Sequence, residues 1–508
     1  MIRLSLLALC VSGLALYAFK DWYRSLCGLI LLMAVVEHPD MPKGMVGISG
    51  LNPWNILLAF VVLGWVFGRQ REGLSWDFPR PFVVLLALYL GAIGVATLRL
   101  IAAPSGLLGD PPFSYIVGEF VINTFKWILP GLLLYDGARS KERLHLALLV
   151  VVGVYLLLAV QVIRWMPLMY AFGSGADLER RALKILSNEV GYHRVNLSMM
   201  LAGASWAVLA AGRVLPLAFL RFPTFLGVSF GMALTGGRMG YVTWAAVGLI
   251  IGALRWRKIL VIIPIAALLL VSTVPAARER LLMGFAPETR DTSQVLQEKG
   301  VLPTVPGDGP DAYTVTSGRT VIWPFVVEKI LQRPIVGYGR EAMMRTGLGV
   351  WIYQHFNEIF PHPHNAYLQI LFDGGLVAFT AVMLFFGYVL RLGVRLFRNR
   401  QDAEAAAVGG MLLALVLALL VASMGSQTFY PREGAVGMWC AIGLALRVAG
   451  RLECARPAVP PGSPPVSPAP KGPPAPPIPE RPRQALGEGV FFRLAGRRGA
   501  GGPAHATA

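Results

Sequence analysis

Residues 144–166 read LHLALLVVVGVYLLLAVQVIRWM, an almost unbroken apolar run. About 20 such residues cross a hydrocarbon core as a helix. No water is available there, so the segment must satisfy its own backbone, and a helix does so. Runs of the same kind recur at 2–19, 25–36, 53–68, 80–101, 115–135, 191–211, 214–234, 240–254, 258–275, 365–390, 406–424 and 434–448. The expected fold class is therefore all-α. It is a polytopic membrane helix bundle of about 12–13 transmembrane helices, with one large periplasmic loop containing short helices. The run at 25–36 is short and reads as a tilted or re-entrant piece.

Composition agrees. Mean hydropathy is +0.59. Hydrophobic residues make up 55% of the 508 and charged residues 15%, too little charge to cover a soluble domain. The first apolar run has one arginine before it and no small-x-small exit, so it reads as a retained helix rather than a cleaved signal.

The formal net charge of +18 invites a nucleic-acid reading, but the distribution opposes it. The basic residues sit in short loops: Arg69, Arg71 and Arg80; Arg139, Lys141 and Arg143; Arg255, Arg257 and Lys258; Arg391, Arg395, Arg398 and Arg400. Short loops rich in Lys and Arg stay cytoplasmic. An even number of spans separates each loop from the next, so one topology satisfies all four. It leaves residues 276–364 as a long extracytoplasmic loop, with nine Lys/Arg balanced by nine Asp/Glu. Cys10, Cys27, Cys440 and Cys454 avoid that loop and have neither disulfide-framework nor metal-type spacing.

The chain divides into N-terminal transmembrane helices (1–190), helices bearing Arg194 and Arg238 (191–275), the periplasmic loop (276–364), C-terminal transmembrane helices (365–450) and a Pro-rich cytoplasmic tail (451–508). The tail lacks core-forming residues and is expected to be disordered. The helices before about 190 carry few ionisable groups and those after it carry the ones with possible chemistry, which places the site in the second half.

His364 follows Pro361-His362-Pro363 and precedes an apolar helix. At that interface its imidazole could accept a proton from a sugar hydroxyl; Asn365 could orient it or the substrate, or simply cap the helix. Asp373, two turns in, either pairs with a buried arginine or marks a helix break at Gly374-Gly375. Arg238 lies in a glycine turn, 235–240, whose amides and guanidinium suit an anion. Arg319 heads a segment in which Ile322, Phe325, Val326 and Ile330 have helical spacing, provided Pro324 falls in the first turn. This reads as a surface helix with Arg319 at its amide end. His193, Arg194 and Asn196 lie near the outer end of another span. Arg194 is either a further phosphate ligand or the partner of an acid. The chain has no P-loop, no HExxH, no GxSxG and no outer acidic pair for a divalent cation. Arginines would thus neutralise the charge of a leaving phosphate.

The blocks TSGRTVIWPFVVEKILQRPIVGYG (316–339) and HPHNAYLQILFDGGLVAF (362–379) resemble the O-antigen ligase and O-antigen polymerase superfamily. The resemblance covers about 190–445. It implies a multi-pass glycosyltransferase of the bacterial inner membrane with its active site facing the periplasm. It implies transfer of a glycan from undecaprenyl diphosphate to an acceptor hydroxyl, with inversion and without metal or other cofactor. It implies catalytic roles for Arg238 and Arg319 on the diphosphate and for His364 as base. Arg194, Asn196 and Asn365 would bind substrate. The partners implied are the lipid-linked donor, an acceptor that is a glycan, lipid A core or protein, and the bilayer, with no nucleic acid. Gly236-Gly237 stand where many members have Ser before Arg. The alternatives are a protein O-oligosaccharyltransferase of the same superfamily and a lipid-linked oligosaccharide transporter. A transporter favours mid-membrane charges and a pseudo-repeat, and the sequence has neither.

Overall fold

The computed structural model describes residues 2–45, 48–102, 111–216, 218–282, 319–356, 360–425 and 427–455. Most of the loop before Arg319 and the tail after residue 455 lie outside them. Residues 1–456 form one compact unit. Each of the thirteen apolar runs falls on a helix. Among the described residues, seven helices are long and apolar enough to cross a membrane: Arg80–Ala102, Phe113–Gly137, Lys141–Trp165, Arg194–Ala211, Ala366–Phe397, Ala403–Ala422 and Glu433–Cys454. The count is eight if Ile259–Thr273 and Pro275–Leu282, bent by 106°, make one span. Leu4–Tyr17, Trp22–Ala34, Ala218–Leu234 and Arg238–Leu254 are shorter apolar helices, and Pro53–Arg71 completes the set.

The bundle is graded from centre to rim. Ala403–Ala422 is 89% buried and Arg194–Ala211 83%, against 28% for Arg80–Ala102. Small residues permit the tight centre: the Gly131 and Gly443 positions face each other so closely that a Cβ on either would meet backbone. Rim helices expose Leu88, Val95, Leu98, Val261, Ile262 and Leu268, as expected where the neighbour is hydrocarbon.

The four basic loops meet on one end of the bundle. Arg69 binds the buried Asp136 at 2.6 Å, Arg143 binds Glu72 at 3.0 Å and Arg447 binds Asp77 at 2.8 Å. His145 and Arg451 both reach Glu404, and Arg255 donates to the carbonyl of Asn399. Helix hairpins carry residues 193–194, 235–238, 319 and 362–365 to the opposite end.

Several expectations are refined. An amphipathic helix, Gly175–Glu189, precedes the seventh apolar run, which becomes helical at Arg194. Arg319–Gln332 is a helix with Arg319 first, as the spacing predicts. Ile322, Val326 and Ile330 bury against Met343, Leu348, Ile352 and Phe372. Pro324 falls in the second turn rather than the first, because the helix already begins at Arg319. The last helix runs to Cys454, beyond the expected start of the tail at 451. Apolar Val448 and Ala449 bury there and carry the helical register past the boundary. The tail itself lies outside the described residues.

The Ala366–Phe397 helix is interrupted at Gly375, where φ is 64° and ψ −165°. Residues 334–339 dock into the interruption. Tyr338 and Gly339 donate their amides to the carbonyls of Phe372 and Asp373 at 2.9 and 2.7 Å. Leu376 and Val377 donate to Pro334 and Ile335 at 2.8 and 3.2 Å. Backbone groups freed by the break are thus satisfied inside the fold. Asp373, buried beneath, accepts from the Tyr430 hydroxyl at 2.6 Å and the Ala342 amide at 3.2 Å. It therefore lies at a helix break, and its hydrogen-bond partners are Tyr430 and Ala342.

Gly375→Ala should lower the thermal midpoint of the detergent-solubilised protein. The left-handed φ costs about 1–3 kcal/mol, and a Cβ there would collide with the Ile335 carbonyl. Gly387→Ala in the same helix, with open space around it, should leave the midpoint unchanged or raise it slightly. Equal midpoints for the two variants would show that the docked break contributes no stability.

Candidate functional site

Three helices begin with an arginine at the same end of the bundle: Arg194–Ala211, Arg238–Leu254 and Arg319–Gln332. A fourth, Ala366–Phe397, starts beside them and is capped by Asn365, whose Oδ1 accepts from the Tyr367 and Leu368 amides at 3.0 and 3.2 Å. A helix start leaves amides unpaired along the axis and carries partial positive charge. Guanidiniums added to several such starts make an environment suited to an anion.

Arg238 lies close enough to Arg280, Glu179 and Arg319 for their charges to act on it. Arg194 and the buried Arg280 share the Glu179 carboxylate, with Arg280 Nη2 at 2.9 Å from Oε1. Both also donate to the Gly236 carbonyl, at 3.1 and 3.3 Å. Gly236 has φ 62°, which turns that carbonyl toward them. Of the two readings of Arg194, the pair with an acid is the one formed. The glycine turn is held from both sides. Its carbonyl receives arginines, and Gly237 and Gly240 let the chain lie directly on Ser198.

His364 stands at φ 52°, a left-handed conformation uncommon for a residue with a side chain. Its amide donates to His362 Nδ1 at 3.2 Å, so that nitrogen carries no proton. The His364 ring packs edge-on to Phe360 at 5.2 Å and lies 4.2 Å from the His362 ring. Trp323 Nε1 donates to the Pro363 carbonyl at 3.0 Å and ties the Arg319 helix to the histidine turn. Burial pushes the His364 imidazole down to about 3, with His362, Arg319 and His193 adding to the effect. Burial also lowers His362, helped by Arg432 and Arg319, and lowers His193, helped by Arg194. All three shifts disfavour the charged form of the imidazole.

The structure therefore brings Arg238, Arg319 and His364 into one charged neighbourhood, linked through Arg319. Arg194 adjoins it through Arg280 and Glu179. Asn196 accepts from Gln427 at 2.9 Å and serves as a tie between two segments, while Asn365 serves as a helix cap. Sequence reasoning missed Arg280 and Glu179. A signal for Glu179 was present: Ser174-x-x-Asp177 is a helix-start pattern, and Leu178, Ala182 and Leu186 are spaced to bury. Arg280 gave none beyond its place just after a span. Among the described residues, no three His, Cys, Asp or Glu side chains gather as metal ligands would.

These elements define an all-α, multi-pass membrane protein with a cationic site and an imidazole at one end of its bundle. Residues 223–383 match the family model of O-antigen ligase, a stretch that contains Arg238, Arg319 and His364. That match supports membership of the O-antigen ligase superfamily. No curated protein matches the chain.

Stability should depend on acid in a stated direction. An imidazole held below its unfolded value binds fewer protons folded than unfolded. Stability is then fully present above about pH 6.5 and falls as pH drops toward 3. His364→Gln should flatten that slope without abolishing it, since His193 and His362 shift the same way. Thermal midpoints between pH 7 and pH 4.5 measure this; parallel slopes for wild type and variant would contradict the buried, neutral His364.

Proposed function

We propose that the chain is a metal-independent glycosyltransferase. It moves a glycan from undecaprenyl diphosphate to an acceptor hydroxyl, on the periplasmic side of the bacterial inner membrane. The observation that carries this reading is the meeting of Arg238, Arg319 and His364 within the segment matched to O-antigen ligase. The four basic loops on the opposite end support the orientation, because such loops stay cytoplasmic.

The chemistry is one displacement. The acceptor oxygen attacks the anomeric carbon as the bond from that carbon to the diphosphate oxygen breaks. The acceptor proton goes to His364, and the polyprenyl diphosphate leaves. Attack opposite the leaving group inverts the anomeric centre. Arg238 and Arg319 stabilise the charge that develops on the diphosphate. A ring held near 3 is a weak base, yet a neighbouring diphosphate favours its protonated form. Donor binding therefore raises the basicity of His364, and the base reaches working strength when the leaving group is in place.

His364→Ala should reduce transfer by about 10²–10⁴-fold while purified protein still binds lipid-linked donor; normal turnover would refute the base. Arg319→Lys should lose about a hundredfold, because a point charge replaces a two-pronged donor. Chelator should leave the rate unchanged, and inhibition by EDTA that added magnesium reverses would count against the arginine account. A deletion strain identifies the acceptor, according to whether long-chain lipopolysaccharide, secreted polymer or glycosylated protein disappears.

A further inference from the structure

A second site lies along the helix that Arg319 begins. Helix Arg319–Gln332 and the short helix Leu348–Phe356 border an open cavity of about 460 Å³ lined by Phe325, Glu328, Lys329, Thr346, Leu348 and Trp351. That is within the usual range for small-molecule sites, roughly 300–1,000 Å³. Its wall pairs an aromatic surface with a carboxylate, an ammonium and a hydroxyl. The Phe325 and Trp351 rings lie 4.8 Å apart, and Trp351 stacks on His355 at 4.3 Å. The stack orients the indole as a fixed platform. Leu348 is buried beneath, with Ile352 and Val326.

This combination recognises a sugar. A pyranose ring offers an apolar C–H face to an aromatic ring and a rim of hydroxyls to charged and polar groups. A lipid tail would leave Glu328 and Lys329 without use. A phosphate would be repelled by Glu328. Position adds to the argument. Phe325 is six residues and Lys329 ten residues from Arg319, so about 9–15 Å along the helix axis. That is farther than one sugar ring spans, and within reach of the second and later sugars of a chain whose first sugar is held at the arginine.

We propose that this cavity is a subsite for the glycan of the donor, binding sugars beyond the one attached to diphosphate. The proposal rests on the transferase reading above. In that role Trp351 and Phe325 form the platform, Glu328 and Lys329 take hydroxyls, and the site selects donors by glycan length and composition. It plays no part in bond breaking.

The test uses the full chain in nanodiscs. The probe is the oligosaccharide freed by mild acid from the host's own lipid-linked pool. Saturation-transfer NMR should give a glycan signal with the wild-type protein. That signal should vanish with Trp351→Ala and persist with Trp351→Phe. Glu328→Gln, at an exposed position, should weaken it without disturbing the fold. In transfer assays Trp351→Ala should raise KM for the complete donor by about tenfold, the loss expected for one aromatic anchor. Its kcat should hold, and a donor trimmed to a single sugar should be unaffected. Equal loss on both donors, or an unchanged glycan signal in both the Trp351→Ala and Glu328→Gln proteins, overturns the subsite. Wild-type turnover separates the two ideas. If the wild-type protein transfers no glycan from the complete donor, the transferase reading fails whatever the cavity binds. If it transfers while the Trp351 and Glu328 variants behave as wild type on that donor, the subsite alone fails.

Discussion

Backbone hydrogen bonds between residues 334–339 and the break at Gly375 hold the two halves of the site in one frame. The docked segment follows directly from the helix that Arg319 begins, and the broken helix is the one that His364 and Asn365 precede. Four amide-to-carbonyl bonds join them. Gly337, at φ 59°, lies so close to the Phe372 and Asp373 backbone that no side chain fits there. The interruption thus joins the loop outside the bundle to a helix within it. Next to it, Arg340 packs over the rings of Phe120 and Tyr430 at 4.1 and 3.8 Å, and Tyr430 in turn holds Asp373. Loop, helix break and a neighbouring helix form one mesh around the buried acid.

Within that frame the electrostatics are strained toward an anion. Arginines at three helix starts lie together, and burial opposes their charge, lowering Arg319 from its ordinary value. Glu179 relieves part of the repulsion by accepting from Arg194 and Arg280. These two arginines are therefore a support for the Gly236 turn, and hence for Arg238, which follows it. Burial suppresses the basicity of His364, and His362 and Arg319 add to the effect. On the proposed function, a bound diphosphate would lower the repulsion and strengthen the base together.

The wall of the bundle asks less of its residues. Ala403–Ala422 needs small and aliphatic side chains to sit at the centre, and the rim helices need only to be apolar. The stretch that matches O-antigen ligase, residues 223–383, contains the turn of Arg238, the docked segment 334–339 and the His364 helix start.

Much is legible in the sequence alone. Hydropathy is a local property, and a helix lets an apolar segment satisfy its own backbone in lipid without a partner. Thirteen helices, the shared end of the basic loops and the helical phase of Ile322, Val326 and Ile330 follow from it. Helix starts at Arg319 and Asn365 are readable for the same reason, since caps and first turns are set by neighbours in the chain. Partner choice is not readable. Arg194 and Arg280 meet Glu179 across 15 and 101 residues, Asn196 meets Gln427 across 231, and loop 334–339 enters a gap that a sequence pattern shows only as two glycines. Such pairings depend on how helices stack and on which backbone groups are left unpaired, and only the folded bundle decides that.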